Sequence, residues 1–419
     1  MSRAVGIDFG TTNSAVAVAD DEGAVTLLPL PAPGGGVTST WRTILYFESG
    51  EDPGQVLISA GAAAIERYAQ SGGQGRLIQS IKSHLASELF SGTHAAGRHY
   101  RIEELIATFL RKLRGAVAVD LGRRAVVGRP VRYWGALTAE DEARALGRMR
   151  TALALAGFDD VSFEYEPVAA ARRYAAGLDH EELVVIADFG GGTSDFSVVR
   201  VGGQGGAEVL ATSGVAVAGD AFDARLVDHV VSPSLGRGSH YQAEFGRQMP
   251  VPPWLYSNLR RWHHLSFLRS PKTTALLDKI RQGASDPSGI QRLIHIVEDD
   301  LGLPLHQAIE ANKRALSNRA ASPFAFDHAG ISLETEVARA DFDAWIAEDL
   351  AAIDEAVQEV LTRAGVAATA IQRVFATGGS SLVPAVRGAL AATFGQDRLV
   401  GGDELTSVAW GLAAVAAER

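Results

Sequence analysis

The chain has 419 residues, which is too long for one ordinary hydrophobic core, so about two or three domains are expected. Hydrophobic residues make up 47% and charged residues 21%, as in globular proteins, and the net charge of −10 argues against broad nucleic-acid binding. Cysteine is absent, no apolar run approaches the roughly 20 residues that cross a bilayer, and the first strand begins too close to Met1 for a signal peptide. We therefore expect a cytoplasmic protein with no disulfides, no thiolate metal site, and neither membrane nor nucleic acid as a partner.

The first half of the chain is predicted to combine strands and helices. Strands are predicted at 4–20, 24–30, 43–48 and 124–131, and helices at 60–70, 76–90, 103–118 and 138–157. Residues 161–177 are predicted to form a strand, a turn at Glu166–Pro167 and a helix that Gly177 closes.

A similar order then begins again. Strands are predicted at 183–192, 195–201, 207–213 and 374–379, and helices at 219–230, 303–318, 341–364 and 405–417. Because three strands followed by a helix occur in both halves, the pattern indicates duplicated α/β domains.

Residues 232–300 interrupt this order and are predicted to be a helical insertion. They contain the densest aromatic and Pro/Gly usage of the chain, including Trp254, Tyr256, Trp262, His263, His264 and Phe267. Aromatic residues are typical of interface cores, so the insertion is the element that we expect to face an unknown protein partner or client.

Two short stretches are nearly alike: GIDFGTTNSAVAV at 6–18 and ADFGGGTSDFSVV at 187–199. Each is typical of a β-hairpin whose turn leaves backbone N–H groups exposed. Small residues are needed there, because a Cβ would keep the amides away from phosphate oxygens. They are Gly10, Thr11 and Thr12 in the first turn, and Gly190, Gly191, Gly192 and Thr193 in the second. The two turns, Asp8–Asn13 and Asp188–Asp195, are predicted to hold a polyphosphate from opposite sides.

Asp8 and Asp188 are expected at the ends of buried strands. A buried carboxylate pair needs a cation or hydrogen-bond donors, and magnesium bound to phosphate, mostly through water, would supply this. One of the carboxylates would then orient or deprotonate an attacking water. The alternative is that each aspartate only caps its own turn.

Several motifs together give a resemblance to a known family. GIDFGTTNS, ADFGGGTSD and FATGGSSLVP resemble the phosphate 1, phosphate 2 and adenosine motifs of the actin, hexokinase and heat-shock 70 (Hsp70) superfamily. IKSHLA at 81–86, EYEPVAAA at 164–171 and EANKRALSN at 310–318 are similar to segments of the Hsp70 branch. The resemblance implies duplicated ribonuclease H-like, actin-like ATPase domains, in two lobes around a nucleotide cleft.

The resemblance also implies a domain division. Lobe I would comprise 1–182 and lobe II 183–373, with the insertion at 232–300. Residues 374–419 would return to the adenosine site and to lobe I.

By the same resemblance, residues of this chain acquire roles toward ATP or ADP and magnesium. Catalytic roles fall to Asp188, which would activate water, and to Lys82, Glu166 and Asp8, and the metal would lie near Asp8 and Asp188. Phosphate contacts would come from Gly10, Thr11, Thr12, Asn13, Gly190, Gly191, Gly192, Thr193 and Asp195. The ribose and adenine side would be formed by Gly219, Glu310, Lys313, Arg314, Ser317, Gly378, Gly379 and Ser380.

Three departures from the family pattern are visible. The family's adenosine motif has an arginine at the position of Leu382, so nucleotide binding is expected to be weaker. The chain ends eight residues after Gly411, so no hydrophobic linker or peptide-binding domain is expected. The insertion is similar to that of short divergent bacterial homologues of Hsp70.

The resulting expectation is a slow magnesium-dependent ATPase with nucleotide-driven lobe closure and a chaperone-like role. Three alternatives remain open from the sequence. One is a degenerate nucleotide-binding switch with little hydrolysis, and another is a small-molecule kinase of the same superfamily. The third is a filament former like bacterial actins, which the bulky insertion disfavours.

Overall fold

A computed structural model describes residues 4–418 apart from 53, 72–73, 176–177, 204–206, 244–245, 262–264, 266–267 and 401–406. Of the residues singled out above, Gly177, Trp262, His263, His264 and Phe267 lie outside the described residues. Within the described part, no helix has both the length and the apolar character that crossing a membrane requires.

The first half of the chain forms one α/β lobe. Its strands are β1 (Ala4–Phe9), β2 (Asn13–Ala19), β3 (Val25–Leu27), β4 (Leu30–Pro31), β5 (Val37–Thr38), β6 (Trp41–Arg42), β7 (Ile44–Ser49), β8 (Val56–Ala60), β9 (Arg76–Gln79), β10 (Gly92–Ala95), β11 (Arg98–Arg101), β12 (Arg124–Arg129) and β13 (Asp160–Tyr165). Its helices are α1 (Gly61–Gln70), α2 (Ile102–Ala116), α3 (Ala139–Leu155) and α4 (Glu166–Ala175).

The second half forms another lobe. Its strands are β14 (Glu181–Phe189), β15 (Ser194–Gly202), β16 (Ala207–Val215), β17 (His240–Gln242), β18 (Gln248–Pro250), β19 (Ala321–His328), β20 (Ile331–Ala338), β21 (Arg373–Thr377) and β22 (Leu399–Val400). Its helices are α5 (Gly219–Leu226), α6 (Trp254–Ser257), α7 (Pro271–Gly283), α8 (Pro287–Glu298), α9 (Gly302–Leu316), α10 (Arg339–Trp345), α11 (Ala347–Ala364) and α12 (Pro384–Phe394), and α13 (Ser407–Glu418) ends the chain.

The two central sheets repeat one topology. The first has the order β13-β12-β1-β2-β3, in which β1, β2 and β3 are antiparallel while β12 and β13 run parallel to β1. The second has the order β16-β15-β14-β21-β22, again with three antiparallel strands and two parallel additions. The expected α/β class, with a duplicated domain in two lobes, is confirmed.

Each lobe has its own hydrophobic core. In the first, Val5, Ile7 and Phe9 of β1 pack with α2 and α3. In the second, strands β14 and β15 pack with α5, α9, α11 and α12. Helix α13 covers the other face of the first sheet, where Leu412 contacts Val126, so the last helix joins the lobe in which the chain begins.

Two predictions give the wrong type of secondary structure. Residues 76–90 do not form a helix: 76–79 are strand β9, and Ile81–His84 form a single 3-10 helix. Leu45 of β7 pairs with Ile78, and Ser80 has a left-handed backbone (φ 55°), so sheet pairing and this reversal prevent helix propagation. The segment 232–300 is not wholly helical either, because strands β17 and β18 form a hairpin within it.

Smaller differences concern element boundaries. Glu166 is the first residue of α4, so no separate turn precedes that helix. The predicted helix 341–364 is divided at Ile346 into α10 and α11, while the β19–β20 hairpin and α12 were not predicted.

Candidate functional site

The first glycine turn joins β1 to β2 and lies against the β6–β7 segment. Asp8 is the next-to-last residue of β1, and the N–H of Thr43 donates to the carbonyl of Thr12 (2.8 Å). Asn13 begins β2 opposite Arg42. These contacts tie the predicted phosphate-binding turn to the β6–β7 segment.

The second glycine turn joins β14 to β15 in the other lobe. The Gly190 N–H donates to the Thr193 carbonyl (2.9 Å), and the Thr193 hydroxyl donates to Asp195 Oδ2 (3.0 Å). Asp188 pairs with Asp195 across the hairpin, in the same position relative to its turn as Asp8 in the first. The two halves therefore use the same local construction.

The two turns meet face to face at the centre of the molecule. A Cβ on Gly191 would lie 2.5 Å from the Thr12 hydroxyl and 3.2 Å from Asp220 Oδ1. The Asp220 N–H donates to the Gly191 carbonyl (2.7 Å), which fixes the second turn against the start of α5. A Cβ at position 191 would force the Thr12 hydroxyl to move, and the close approach of Gly191 to Thr12 brings both predicted phosphate turns into one cleft.

An ion pair lies beneath the turns. The Lys82 ammonium is 2.7 Å from Glu166 Oε1, and the two side chains are only 11% and 15% exposed. Burial opposes the charged form of Lys82, but the Glu166 and Asp8 carboxylates outweigh it and raise the pKa of the lysine. Lys82 therefore remains protonated and carries a fixed positive charge at the base of the cleft.

The carboxylates beside Lys82 hold their protons more strongly than usual. Desolvation, followed by repulsion from Glu166, raises the pKa of Asp8 to about 7, and Asp188 contributes further repulsion. Desolvation also raises the pKa of Asp188, although a hydrogen bond from the Thr377 hydroxyl (2.8 Å) opposes the shift. Asp8 and Asp188 therefore act on each other electrostatically, as expected if both face one cleft.

Asp195, opposite Asp188 in the hairpin, adds a further carboxylate to this acidic group. Desolvation raises its pKa to about 7, repulsion from Asp188 adds to this, and the Thr193 hydrogen bond opposes it. Lys82 is the cation that lowers the pKa of Asp8, Asp188 and Asp195 alike, and it is already paired with Glu166. Four acidic groups around one ammonium leave negative charge that a divalent cation would balance.

A magnesium ion fits this donor set only with help from other oxygens. No three or more His, Cys, Asp or Glu side chains of the described residues are arranged to hold a metal directly. Magnesium usually keeps several waters and binds through one or two carboxylates together with phosphate oxygens. Asp8 and Asp188 meet that requirement, and a metal here would complete its shell with water and phosphate.

Helix α9 carries the residues predicted for the ribose and adenine side. Lys313 Nζ is 2.7 Å from Asp223 Oδ1 and 3.4 Å from the Gly219 carbonyl oxygen, to which it donates. Glu310 instead pairs across the cleft with Arg42 of the first lobe (3.2 Å). Helix α9 is thus held by ion pairs to one residue of each lobe, Asp223 and Arg42.

The other residues predicted for this side fall into two groups. A Cβ on Gly219 would lie 2.8 Å from the Ser380 hydroxyl and 3.8 Å from the Gly190 carbonyl, so the Gly378–Ser380 turn adjoins the second phosphate turn. Arg314 is 76% exposed, and the Ser317 hydroxyl donates to the Lys313 carbonyl of its own helix (3.3 Å). The structure does not draw these two side chains into the cluster around Asp223.

Position 382, where the family has arginine, lies at the surface. Leu382 ends the 3-10 helix Gly379–Leu382 and is 52% exposed. Both Leu382 and Arg314 therefore remain accessible to a planar base.

Sequence reasoning missed several polar residues of the cleft. Thr377 bonds Asp188, Asp223 pairs with Lys313, and Arg42 pairs with Glu310. Burial lowers the pKa of His306, and this neutral imidazole donates from Nε2 to the Leu259 carbonyl (2.8 Å). Two of these residues could have been chosen from the sequence: Asp223 belongs to the AGDAFD segment that supplied Gly219, and Thr377 to the FATGGSSLVP motif that supplied Gly378, Gly379 and Ser380. For Arg42 and His306 the sequence carries no short-range signal.

A small cavity lies between the lobes beside Arg42, Asp223 and His306. Its volume is about 70 Å³. It is lined by Thr11, Thr12, Arg42, Thr43, Ile44, Gln79, Ser80, Asp220, Asp223, Arg260, Arg261, His306 and Glu310. The lining is almost wholly polar and comes from both halves of the chain.

Comparison with known families agrees with this geometry. The family model described as Hsp70 protein matches residues 75–237 and 290–418, well over half of the chain. The match includes Lys82, Glu166, the second phosphate turn and α9; the first phosphate turn precedes it, and 238–289 falls between its two segments. With this match and its duplicated two-lobed fold, the chain belongs to the Hsp70 family and is an ATP-binding protein of the Hsp70 type.

Proposed function

We propose that this chain binds ATP with magnesium in the cleft between its lobes and hydrolyses it slowly. The observation that carries the proposal is the contact of Gly191 with Thr12, which sets two amide-rich turns against each other above Lys82, Asp8 and Asp188. Backbone amides in such turns and a buried ammonium suit a polyphosphate.

Each part of the cleft has a role in this proposal. The phosphates would be held by Gly10, Thr11, Thr12 and Asn13 from one lobe and by Gly190, Gly191, Gly192, Thr193 and Asp195 from the other. The ribose and base would lie along Gly219, Glu310, Lys313, Arg314, Ser317, Gly378, Gly379 and Ser380. Asp8 and Asp188 would hold the magnesium through water.

The chemistry follows from charge placement. Bound magnesium would neutralise phosphate charge and lower the pKa of a coordinated water. The Lys82 ammonium, which Glu166 holds in position, would stabilise the negative charge that develops on the transferred phosphoryl group. The pKa of Asp188 is raised, which makes this carboxylate a better proton acceptor. Asp188 would orient the attacking water and accept its proton.

Binding would require the lobes to move. The cavity beside Thr11 and Thr12, about 70 Å³, is far smaller than the roughly 300–1,000 Å³ of small-molecule sites, and we infer that the lobes separate to admit a nucleotide. Arg42 and Glu310 join the two lobes across the cleft, so separation must break that ion pair. We infer that nucleotide binding and lobe closure are coupled, and that this movement signals to a partner protein.

We propose that the chain has a chaperone-like role and that it acts in the cytoplasm. The partner would contact the segment 232–300, most of which lies outside the family match. Trp254 of this segment is 45% exposed, whereas Tyr256 is buried and donates its hydroxyl to the Leu235 carbonyl (3.1 Å). Part of the aromatic content thus stabilises the segment itself, and Trp254 offers an accessible aromatic side chain.

Calorimetry and a single-turnover assay test this proposal. Titration with ATP, with and without magnesium, should give a binding heat that depends on the metal, and excess protein should convert bound ATP to ADP. Binding without conversion would favour the conformational switch, for which the exposed Leu382 in place of arginine is the supporting observation. Absence of any heat with ATP or ADP would contradict the proposal.

A further inference from the structure

A small sheet of the first lobe has an unprotected edge. The order β8-β7-β9 leaves one side of β8 unpaired among the described strands. Strand β8 has the sequence VLISA, with no charge, no proline and no bulge in its pairing with β7. Proteins usually protect free edges with such features, because unpaired N–H and C=O groups invite another strand.

A groove of about 700 Å³ follows this edge. Val56 and Ile58 lean toward the core that contains α2, whereas Leu57 lies opposite Glu48 on the other face of the sheet. All three, with Ser59, line the groove. Residues from both faces of one strand can line a single groove only if that groove runs along the free edge of the strand.

The opposite wall of the groove is helix α2. It contributes Thr108, Arg111 and Lys112. Arg111 is held in place, since it donates to the Leu155 carbonyl (3.0 Å) and to the Thr108 hydroxyl (3.2 Å). A strand edge facing a helix is an arrangement that binds extended peptides, with main-chain pairing on one side and side-chain contacts on the other.

The groove is positively charged on a protein that is otherwise negative. Its lining contains the cations Arg67, Arg111 and Lys112 and one acid, Glu48, which Arg67 already pairs at 2.6 Å. Arg111 and Lys112 have no ion-pair partner within the described part of the chain. A local excess of positive charge in a chain of net charge −10 selects for an acidic ligand.

We propose that this groove docks an extended acidic segment of a partner protein, which adds a fourth strand to the sheet beside β8. Its backbone would pair with Val56–Ala60, and its acidic side chains would contact Arg111 and Lys112. Alternate apolar side chains of the segment would cover Leu57, which is 39% exposed. The inference does not depend on nucleotide binding, because the groove lies outside the cleft.

Fluorescence anisotropy with a synthetic probe tests the proposal. The probe is a fluorescein-labelled peptide of about ten residues that alternates Glu with Val or Thr, a length typical of one strand. We expect Lys112→Glu to weaken binding roughly fivefold to tenfold, because a contact of opposite charges becomes repulsive. The matched control is Lys272→Glu on α7, an exposed lysine outside the groove, which should leave the affinity unchanged.

Two further measurements examine the strand pairing. Two probes N-methylated at the two alternate sets of residues should differ: the set whose N–H groups face β8 should abolish binding and the other set should not. Hydrogen exchange at 56–60 should slow when the unmodified probe is present. Equal affinity for the Lys112→Glu variant, for a probe with Lys in place of Glu, or for both N-methylated probes would overturn the proposal, as would no binding at millimolar peptide. A dimer of the free protein that Leu57→Lys dissociates would assign the edge to a second copy and would also overturn it.

Discussion

The Lys82 ammonium lies 2.7 Å from the Glu166 carboxylate, and this pair joins the 3-10 helix after β9 to the first residue of α4. Both side chains are largely shielded from water, and Asp8 and Asp188 add negative charge nearby. The pair therefore sets both the position of the cation and the electrostatic balance of the cleft.

The first prediction concerns this pair. Lys82→Met should lower the single-turnover rate of ATP hydrolysis by about 100-fold or more, because a preorganised charge is lost. It should also lower the free energy of unfolding by about 3 kcal/mol, since Glu166 is left uncompensated. The double variant Lys82→Met/Glu166→Gln should recover stability in denaturant titration but not the hydrolysis rate, and Lys272→Met serves as the surface control. A double variant that regains the rate would refute the role given to Lys82.

Asp188→Asn should separate binding from hydrolysis. Asparagine keeps an oxygen that can accept the Thr377 hydrogen bond and removes a charge that desolvation disfavours, so the fold and ATP binding should survive. Hydrolysis should fall by roughly 100-fold or more, because the amide cannot accept a proton from water. The measurement compares calorimetric affinity with single-turnover rate, and Asp327→Asn on the exposed hairpin is the control. Equal loss of both quantities would instead indicate a structural role for Asp188.

A third prediction tests the contact between the glycine turns. Gly191→Ala places a methyl group 2.5 Å from the Thr12 hydroxyl, so either the Thr12 side chain must rotate or the two turns must move apart. We expect nucleotide affinity to fall by at least about tenfold, since either change disturbs the place where the two turns would hold one polyphosphate. Gly147→Ala, in the middle of α3 with open space around it, is the matched control and should raise stability by about 0.5–1 kcal/mol. Unchanged affinity in Gly191→Ala would remove the main support for the proposed function.

Some of these structural features can be predicted from the sequence alone, and others cannot. The repeated Asp-Phe-Gly turns predict the duplicated hairpins, and the strand ends predict Asp8 and Asp188, because both signals lie within a few neighbouring residues. The helix expected around Lys82 is wrong, since pairing of Ile78 with Leu45 depends on a strand more than thirty residues earlier. Arg42 and Glu310, 268 residues apart, come together only when the lobes fold and meet.

The binding of magnesium and nucleotide should depend on the pH of the solution. Asp8, with a pKa raised to about 7, must lose its proton before a divalent cation is favoured there. Because binding displaces this proton of Asp8, the affinity for ATP with magnesium should fall by up to about tenfold as the pH is lowered from 7.5 to 6. Calorimetry in buffers of different ionisation enthalpy should detect the proton release, and Asp8→Asn should abolish its contribution. A pH-independent affinity would contradict the assignment.

The nucleotide-free protein should show the opposite pH trend. A carboxyl group whose pKa is raised by folding binds more protons in the folded than in the unfolded state between the two pKa values, here about 4 and 7. Stability should therefore increase as the pH falls from about 7.5 to 6, and thermal unfolding without nucleotide measures it. Asp8→Asn should flatten this part of the profile.

A hydrogen bond between the lobes is expected to slow nucleotide release. The Tyr68 hydroxyl on α1 donates to Asp300 Oδ2 (2.5 Å), and Asp300 also lies 3.5 Å from Arg269 of its own lobe. Tyr68→Phe removes this hydrogen bond between the lobes, while Asp300 keeps its contact with Arg269, so each lobe should keep its own fold. A hydrogen bond to a charged group contributes about 1.5–3 kcal/mol, so release of a fluorescent ADP analogue should accelerate about tenfold or more in a stopped-flow chase. Tyr165→Phe, at the end of β13, is the matched control, and an unchanged rate in Tyr68→Phe would show that this contact does not limit lobe opening.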